Sequence, residues 1–199
     1  MDRPYSPAVD RNKGPIFEVL KEYLMDGNNL LEIGSGTGQH AVFFAEKFPG
    51  LTWFTTDVRE NLAGIKEWIN EANLINVKGP EELKIGTDDF PKKPFDYVFT
   101  ANTLHIMSWK EGKTLFKLLG KRLREGSLTF FYGPFNKEGK YTSQGNEEFD
   151  RSLKERDPRS GIRNFEDVVN AMESFGFKLL KDHEMPSNNR LLVFERLSK

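Results

Sequence analysis

The chain has 199 residues, enough for one domain of ordinary size that buries a core without metal or disulfide staples. It contains no cysteine, which excludes disulfides, thiolate zinc sites and a cysteine nucleophile and fits a reducing, cytoplasmic compartment. Lysine and arginine total 29 against 30 aspartates and glutamates, a net charge of -1, so no global positive field draws nucleic acid or an anionic membrane, and no apolar run approaches a membrane span.

In chain order, Asp2–Gly14 is polar and proline-bearing, with charges where a signal peptide would be apolar, and reads as an irregular arm. Pro15 suits the first turn of a helix, and Ile16, Val19, Leu20 and Tyr23 follow as an apolar stripe that Asp26-Gly27-Asn28 ends. Leu30–Ile33 reads as a buried strand running into a glycine turn, after which Ala41, Phe44, Ala45 and Phe48 share a helix face. Leu51–Thr56, ending at Asp57, is a second strand, and Leu62, Ile65, Ile69 and Ala72 mark a second crossover helix. Val77 and Leu83–Ile85 predict a weaker third strand region, Phe95–Ala101 a fourth strand, Leu115, Leu118 and Leu119 a helix, and Leu128–Tyr132 a fifth strand. Gly133–Arg163 is a charged excursion with a helix around Phe149 and Leu153, stopped by Asp157-Pro158. Phe165, Val168, Val169, Met172 and Phe175 predict a last helix, then strands Phe177–Lys181 and Leu191–Phe194 joined by a polar loop, His183–Arg190. The alternation predicts an α/β fold of one Rossmann-like domain: a mainly parallel seven-stranded sheet with a C-terminal antiparallel strand and helices on both faces.

The stretch Glu32-Ile33-Gly34-Ser35-Gly36-Thr37-Gly38 carries most of the functional information. Glycines after a strand allow a sharp turn and close approach of a ligand, and Asp57 at the next strand end is placed to accept from ribose hydroxyls. The dinucleotide spacing G-x-G-x-x-G would need a glycine at residue 39, which is Gln39, so an NAD-linked oxidoreductase is disfavoured. G-x-G-x-G with an acidic residue two before it resembles instead the first motif of class I S-adenosylmethionine-dependent methyltransferases.

Further segments extend that likeness: Ser6-Pro7, Arg11–Ile16, Gly38–Ala41, Asn102–Ile106, Tyr132–Phe135, Arg156-Asp157-Pro158, Gly161–Arg163 and Met185–Asn189. Together, over roughly Ser6 to Arg196, the chain resembles the uncharacterised methyltransferase-like protein 26 family, a domain-of-unknown-function group. The resemblance implies a class I methyltransferase fold with S-adenosylmethionine as ligand, and no substrate. It departs at Leu83-Lys84-Ile85, where members often carry an acid; Asp88 or Asp89 is the expected substitute.

The expected cofactor contacts are then Glu32, Gly34, Ser35, Gly36, Gly38, Gln39, Asp57, Asp88 and Asn102, with Arg11 and Asn12 from the arm. Methyl transfer is an in-line displacement that orientation can accelerate without a protein nucleophile. His105, just after the fourth strand, is the candidate general base, and Asn102 in the same turn the candidate orienting group. Tyr132, Arg156, Asp157, Arg163, Asn188 and Asn189 are candidate substrate contacts, arginine suiting a carboxylate or phosphate. His40, after the glycine turn, reads as a helix-face histidine ahead of a role in the site, His183 carries no assigned role, and no histidine spacing suits a metal. Trp53, Trp68 and Trp109 read as packing, and Lys117, Lys121, Arg122 and Arg124 as a solvated helix end. The expected activity is methylation of a small molecule, with no nucleic-acid or membrane partner and the oligomeric state open; the alternative is a non-catalytic S-adenosylmethionine-binding protein acting through a partner.

Overall fold

The computed structural model describes residues 3–198. The chain divides into two compact units, Met1–Thr100 and Ala101–Lys199.

The first unit opens with helix α1, Pro7–Leu20. Pro7 takes the first-turn position that the sequence assigned to Pro15, because a missing N–H costs nothing there. Pro15 lies inside the helix, where it withdraws only the N–H that would reach the Arg11 carbonyl. The irregular arm is therefore confined to Arg3–Ser6, and Asp2 lies outside the described residues. Val9, Asn12, Ile16 and Leu20 fall on one face of α1 and are buried.

Strand β1 (Asn29–Ile33), helix α2 (Gln39–Lys47), strand β2 (Thr52–Asp57), helix α3 (Leu62–Ala72), strand β3 (Val77–Glu82) and strand β4 (Tyr97–Ala101) follow. The strands lie in the order β3-β2-β1-β4, all parallel. Leu83–Ile85 is not a strand: Leu83 and Ile85 are buried, but the chain turns there, with the Thr87 and Asp88 N–H groups on the Lys84 carbonyl. An aromatic cluster fills this core. The Phe44 ring lies 5.3 Å from Trp53 and 5.6 Å from Phe99, and His40 stacks on Phe44 at 5.5 Å. Such pairs contribute about 0.5–1.5 kcal/mol each beyond area burial.

The second unit contains helix α4 (Trp109–Arg122), strand β5 (Leu128–Asn136), helix α5 (Gln144–Arg156), strand β6 (Arg163–Asn164), helix α6 (Phe165–Ser174), strand β7 (Phe177–Met185) and strand β8 (Asn189–Arg196). Helix α4 starts at a capping box, Ser108 with Glu111, and ends on Lys121 and Arg122, where the helix dipole favours cations. β8 lies between β5 and β7, antiparallel to both, and β6 runs parallel to the end of β5. Two predicted boundaries move. The excursion begins after Asn136 rather than at Gly133, because Gly133 and Pro134 stay paired to Arg190 and Asn189. The loop His183–Arg190 shrinks to a turn at Pro186–Asn188, and its flanks belong to β7 and β8. Those flanks look loop-like because they are charged, yet the charges pair across the strands: Arg190 grips Asp182 through two bonds of 2.7 Å and reaches Glu184 at 3.1 Å.

Candidate functional site

The loop after β1 is built around two carboxylates. Glu32 lies in the buried run of β1, one residue before its end, and is 1 % exposed. Its Oε2 accepts from the Ser35 hydroxyl at 3.0 Å and the Trp53 indole N–H at 2.9 Å. Burial pushes its pKa up to about 7, against the pull of those two donors and helped by the nearby charge of Asp57. Asp57, at the end of β2, accepts from the Gly36 N–H at 2.6 Å through Oδ2, and from the Val58 N–H and the Asn61 amide through Oδ1. The Gly34 and Ser35 N–H groups both donate to the Thr56 carbonyl at 3.0 Å, tying the loop to the end of β2.

Gly34, Gly36 and Gly38 all have left-handed φ, at 74°, 59° and 93°. At Gly36 a side chain would meet only open space, whereas at Gly38 it would stand 3.1 Å from the Ile65 Cα and 3.3 Å from the Trp68 Cβ. The first glycine keeps a face open to a ligand; the second lets α2 and α3 approach.

Gln39, Asn12 and Asp88 make contacts within the protein. The Gln39 Oε1 accepts from the Ser6 N–H at 2.6 Å and the Thr37 hydroxyl at 3.0 Å. The Asn12 Oδ1 lies 2.7 Å from the His40 Nε2, so that nitrogen carries the proton, and burial drives the His40 pKa down to about 3. Asp88 accepts from the Lys84 N–H at 2.7 Å and so caps its own turn. Arg11 is exposed. Sequence reasoning missed the roles of Trp53 and His40; a tryptophan on a strand and a histidine on a helix face gave no sign that each reaches a polar partner.

In the second unit, the turn after β4 carries Asn102 and His105. Asn102 has φ 57°, and its N–H donates to the Tyr132 carbonyl at 2.8 Å. His105 is 4 % exposed and meets the Phe149 ring edge-on at 5.2 Å. Burial, then the charges of Arg163 and Arg156, hold its pKa at about 4 against the pull of Asp150. Tyr132 is buried in β5, next to Gly133, which faces His105 and Asn102.

Arg163 spends its guanidinium on backbone carbonyls: Met107, Arg159 at 3.0 Å and Leu104 at 3.5 Å. It therefore clamps the turn that holds His105. Arg156 folds onto Ser152 of its own helix, and Asp157 pairs with Arg159. Asn188 is exposed and Asn189 half-buried beside the β7–β8 turn, with the Asn188 carbonyl 3.5 Å from the Asn146 amide. Asp150, not singled out from the sequence, is a buried acid with three partners. It accepts from Lys154 at 2.6 Å, the Tyr141 hydroxyl at 2.7 Å and the Ile162 N–H at 2.6 Å. Burial raises its pKa, but those bonds prevail and hold it below the usual carboxylate range. The Gly161 N–H meanwhile donates to the His105 carbonyl at 2.8 Å.

This architecture, a mostly parallel α/β sheet with antiparallel C-terminal strands, is that of class I methyltransferases. The chain is similar to the S-adenosylmethionine-dependent methyltransferase SibL (20 % identity, TM-score 0.80), covering 96 % of this chain and 56 % of that one. It is similar to an O-methyltransferase family protein from Burkholderia thailandensis (15 % identity, TM-score 0.81), covering 96 % of this chain and 58 % of that one. A third likeness is to PigF, solved with SAH (14 % identity, TM-score 0.78, 94 % of this chain and 54 % of that one). The chain thus spans little more than half the length of the proteins it matches. Among families, the model described as protein of unknown function (DUF938) matches residues 3–196, and the chain belongs to that family.

Proposed function

We propose that this protein is an S-adenosylmethionine-dependent methyltransferase acting on a small molecule, within the methyltransferase-like protein 26 group that its sequence motifs resemble. The loop Gly34–Gly38 between the buried carboxylates Glu32 and Asp57 carries the reading. The residues present fit the cofactor. Gly36 leaves an open backbone face, and the Asp57 Oδ2 takes one protein donor, so it has an acceptor position left for a ribose hydroxyl. The Glu32 charge is met only by neutral donors, which suits the ammonium and sulfonium of the ligand. When bound, the cofactor supplies an electrophilic methyl group on sulfur.

The protein's own part is positioning, which can contribute up to about 7–11 kcal/mol for well-placed reactants. Gln39 and Asn12 hold the loop in shape through Ser6, Thr37 and His40, and Asp88 shapes the turn after β3. Arg11 is exposed on α1, while Lys13 is paired with Asp10, and Arg11 is the cation proposed to meet the carboxylate of the ligand. Asn102, His105, Tyr132, Arg156, Arg163, Asn188 and Asn189 are the acceptor-side groups. A small-molecule acceptor, without nucleic acid or membrane, agrees with the net charge of -1, and a cytoplasmic setting with the lack of cysteine. No helix among the described residues is long and apolar enough to cross a membrane.

Calorimetry with S-adenosylmethionine and S-adenosylhomocysteine tests the site, and a screen of acceptors with labelled methyl tests the reaction. The expected result is saturable heat with both ligands and label on an acceptor. No heat with either refutes the site; heat without any transfer refutes catalysis and leaves the non-catalytic binder.

A further inference from the structure

His105 and Asn102 are polar groups without a polar partner for their side chains. His105 is 4 % exposed, yet among the described residues neither of its ring nitrogens, nor the Asn102 carboxamide, is hydrogen-bonded. Both point toward the same place. A Cβ on Gly133 would stand 3.6 Å from the His105 Nδ1 and 3.8 Å from the Asn102 Oδ1. The missing side chain of Gly133 thus leaves a small cradle, faced by an imidazole and an amide. His105 is buried and Asn102 half-buried, and a ligand in the cradle would give both a hydrogen-bond partner.

The electrostatics around His105 select the ligand. Arg163 and Arg156 both act on it, and neither is paired with a carboxylate: one is bound to carbonyls, the other to Ser152. Asp150, the acid that acts on His105, is already taken by Lys154, Tyr141 and the Ile162 N–H. Arg151, Arg159 and Arg190 of the same unit, by contrast, each have a carboxylate partner. A proton added to His105 would be a further buried positive charge in this field, which makes the ring a poor general base. An anion there would be stabilised. Beside the cradle, Ile106 and the Phe149 edge are exposed apolar surface.

We propose that the cradle at Gly133 binds a small organic acid with an apolar body, its carboxylate or phenolate oxygen held by His105 and Asn102, and that such an acid is the methyl acceptor. The second half rests on the methyltransferase reading; the first stands without it. An acceptor that arrives as an oxyanion brings its own electron pair. The O–CH3 bond forms as the S–CH3 bond breaks, the negative charge on oxygen cancels the positive charge on sulfur, and no proton needs a base. His105 then works as a neutral N–H donor.

Benzoate is the probe, with benzamide as its neutral counterpart, and the His105 imidazole resonances, assigned with His105→Gln, are the readout. Benzoate is expected to shift them at millimolar concentration and to raise the His105 pKa toward its usual value, while benzamide leaves them in place. Arg156→Gln, whose exposed side chain bonds only within its own helix, is expected to weaken benzoate binding several-fold, the loss of one nearby positive charge, while keeping the fold. An equal response to benzamide, or no His105 response to benzoate, overturns the site. Benzoate binding with label transferred only to neutral alcohols or amines overturns the acceptor role. Benzoate binding with no heat from S-adenosylmethionine leaves the acid site standing and removes the methyltransferase reading.

Discussion

Glu32→Gln tests the charge state of the loop directly. The wild-type carboxyl has a pKa raised to about 7 by burial, against an ordinary 4.5. Below pH 4.5 both the folded and the unfolded chain hold the proton, and Glu32 costs nothing. Between 4.5 and 7 the unfolded chain releases it while the folded chain keeps it, so stability falls by about 1.36 kcal/mol per pH unit. Above 7 the penalty is full, on the order of 3 kcal/mol. Glutamine keeps an oxygen for the Ser35 hydroxyl and the Trp53 N–H but has nothing to titrate. Its extra amide protons add an offset that does not vary with pH, so the slope carries the test. Urea denaturation of both proteins from pH 4 to pH 8 should show the variant gaining on the wild type by about that amount, with other groups cancelling in the difference. A wild-type-minus-variant difference that stays flat across this range would refute a buried, neutrally partnered carboxylate. On the proposed reading, the same substitution should also weaken S-adenosylmethionine binding in calorimetry, because it removes the charge offered to the ammonium and sulfonium.

His40→Gln should act on the acid side. The His40 pKa is depressed to about 3, so its stabilisation is lost as pH falls from about 6.5 toward 3, up to on the order of 5 kcal/mol. The variant can still donate to Asn12, and the wild-type-minus-variant difference in stability should fall by that amount over that window; a difference that stays flat would count against a buried neutral His40. Gly38→Ala forces an L residue to φ 93° and sets a methyl 3.1 Å from the Ile65 backbone, so a loss of roughly 1–3 kcal/mol is expected. Thermal unfolding reads it, and a midpoint equal to the wild type would mean that the α2–α3 approach is not tight.

The parts legible in the sequence are those with a period or a bounded apolar run. The stripe of Ile65 and Ile69 declares itself because burying one face of a helix imposes a spacing, and Leu30–Ile33 because a strand buried on both faces is a short apolar run between turns. The loop is legible because positive φ at three positions demands glycine. Boundaries set by exceptions are not. Pro15 looks like a helix start, and only the packing of Val9 and Asn12 shows that α1 begins before it. The charged ends of β7 and β8 look like a loop, since cross-strand pairs such as Arg190–Asp182 depend on a register that the sequence does not print. The Trp53–Glu32 bond also escapes local pattern, because its partners lie on different strands 21 residues apart.

The place of β8 has a consequence for how the protein comes to be made. Asn189–Arg196 is the middle strand of its group, with β5 on one side and β7 on the other. While the chain is being synthesised, β5 and β7 leave the ribosome first, each with an open edge of unpaired backbone groups. They cannot be closed until the strand after Asn188 emerges. A chain cut short before Asn189 would lose the strand that joins its neighbours, and two exposed edges would be left to pair with other molecules. The joining of β5 and β7 into one sheet therefore waits on a single strand, Asn189–Arg196.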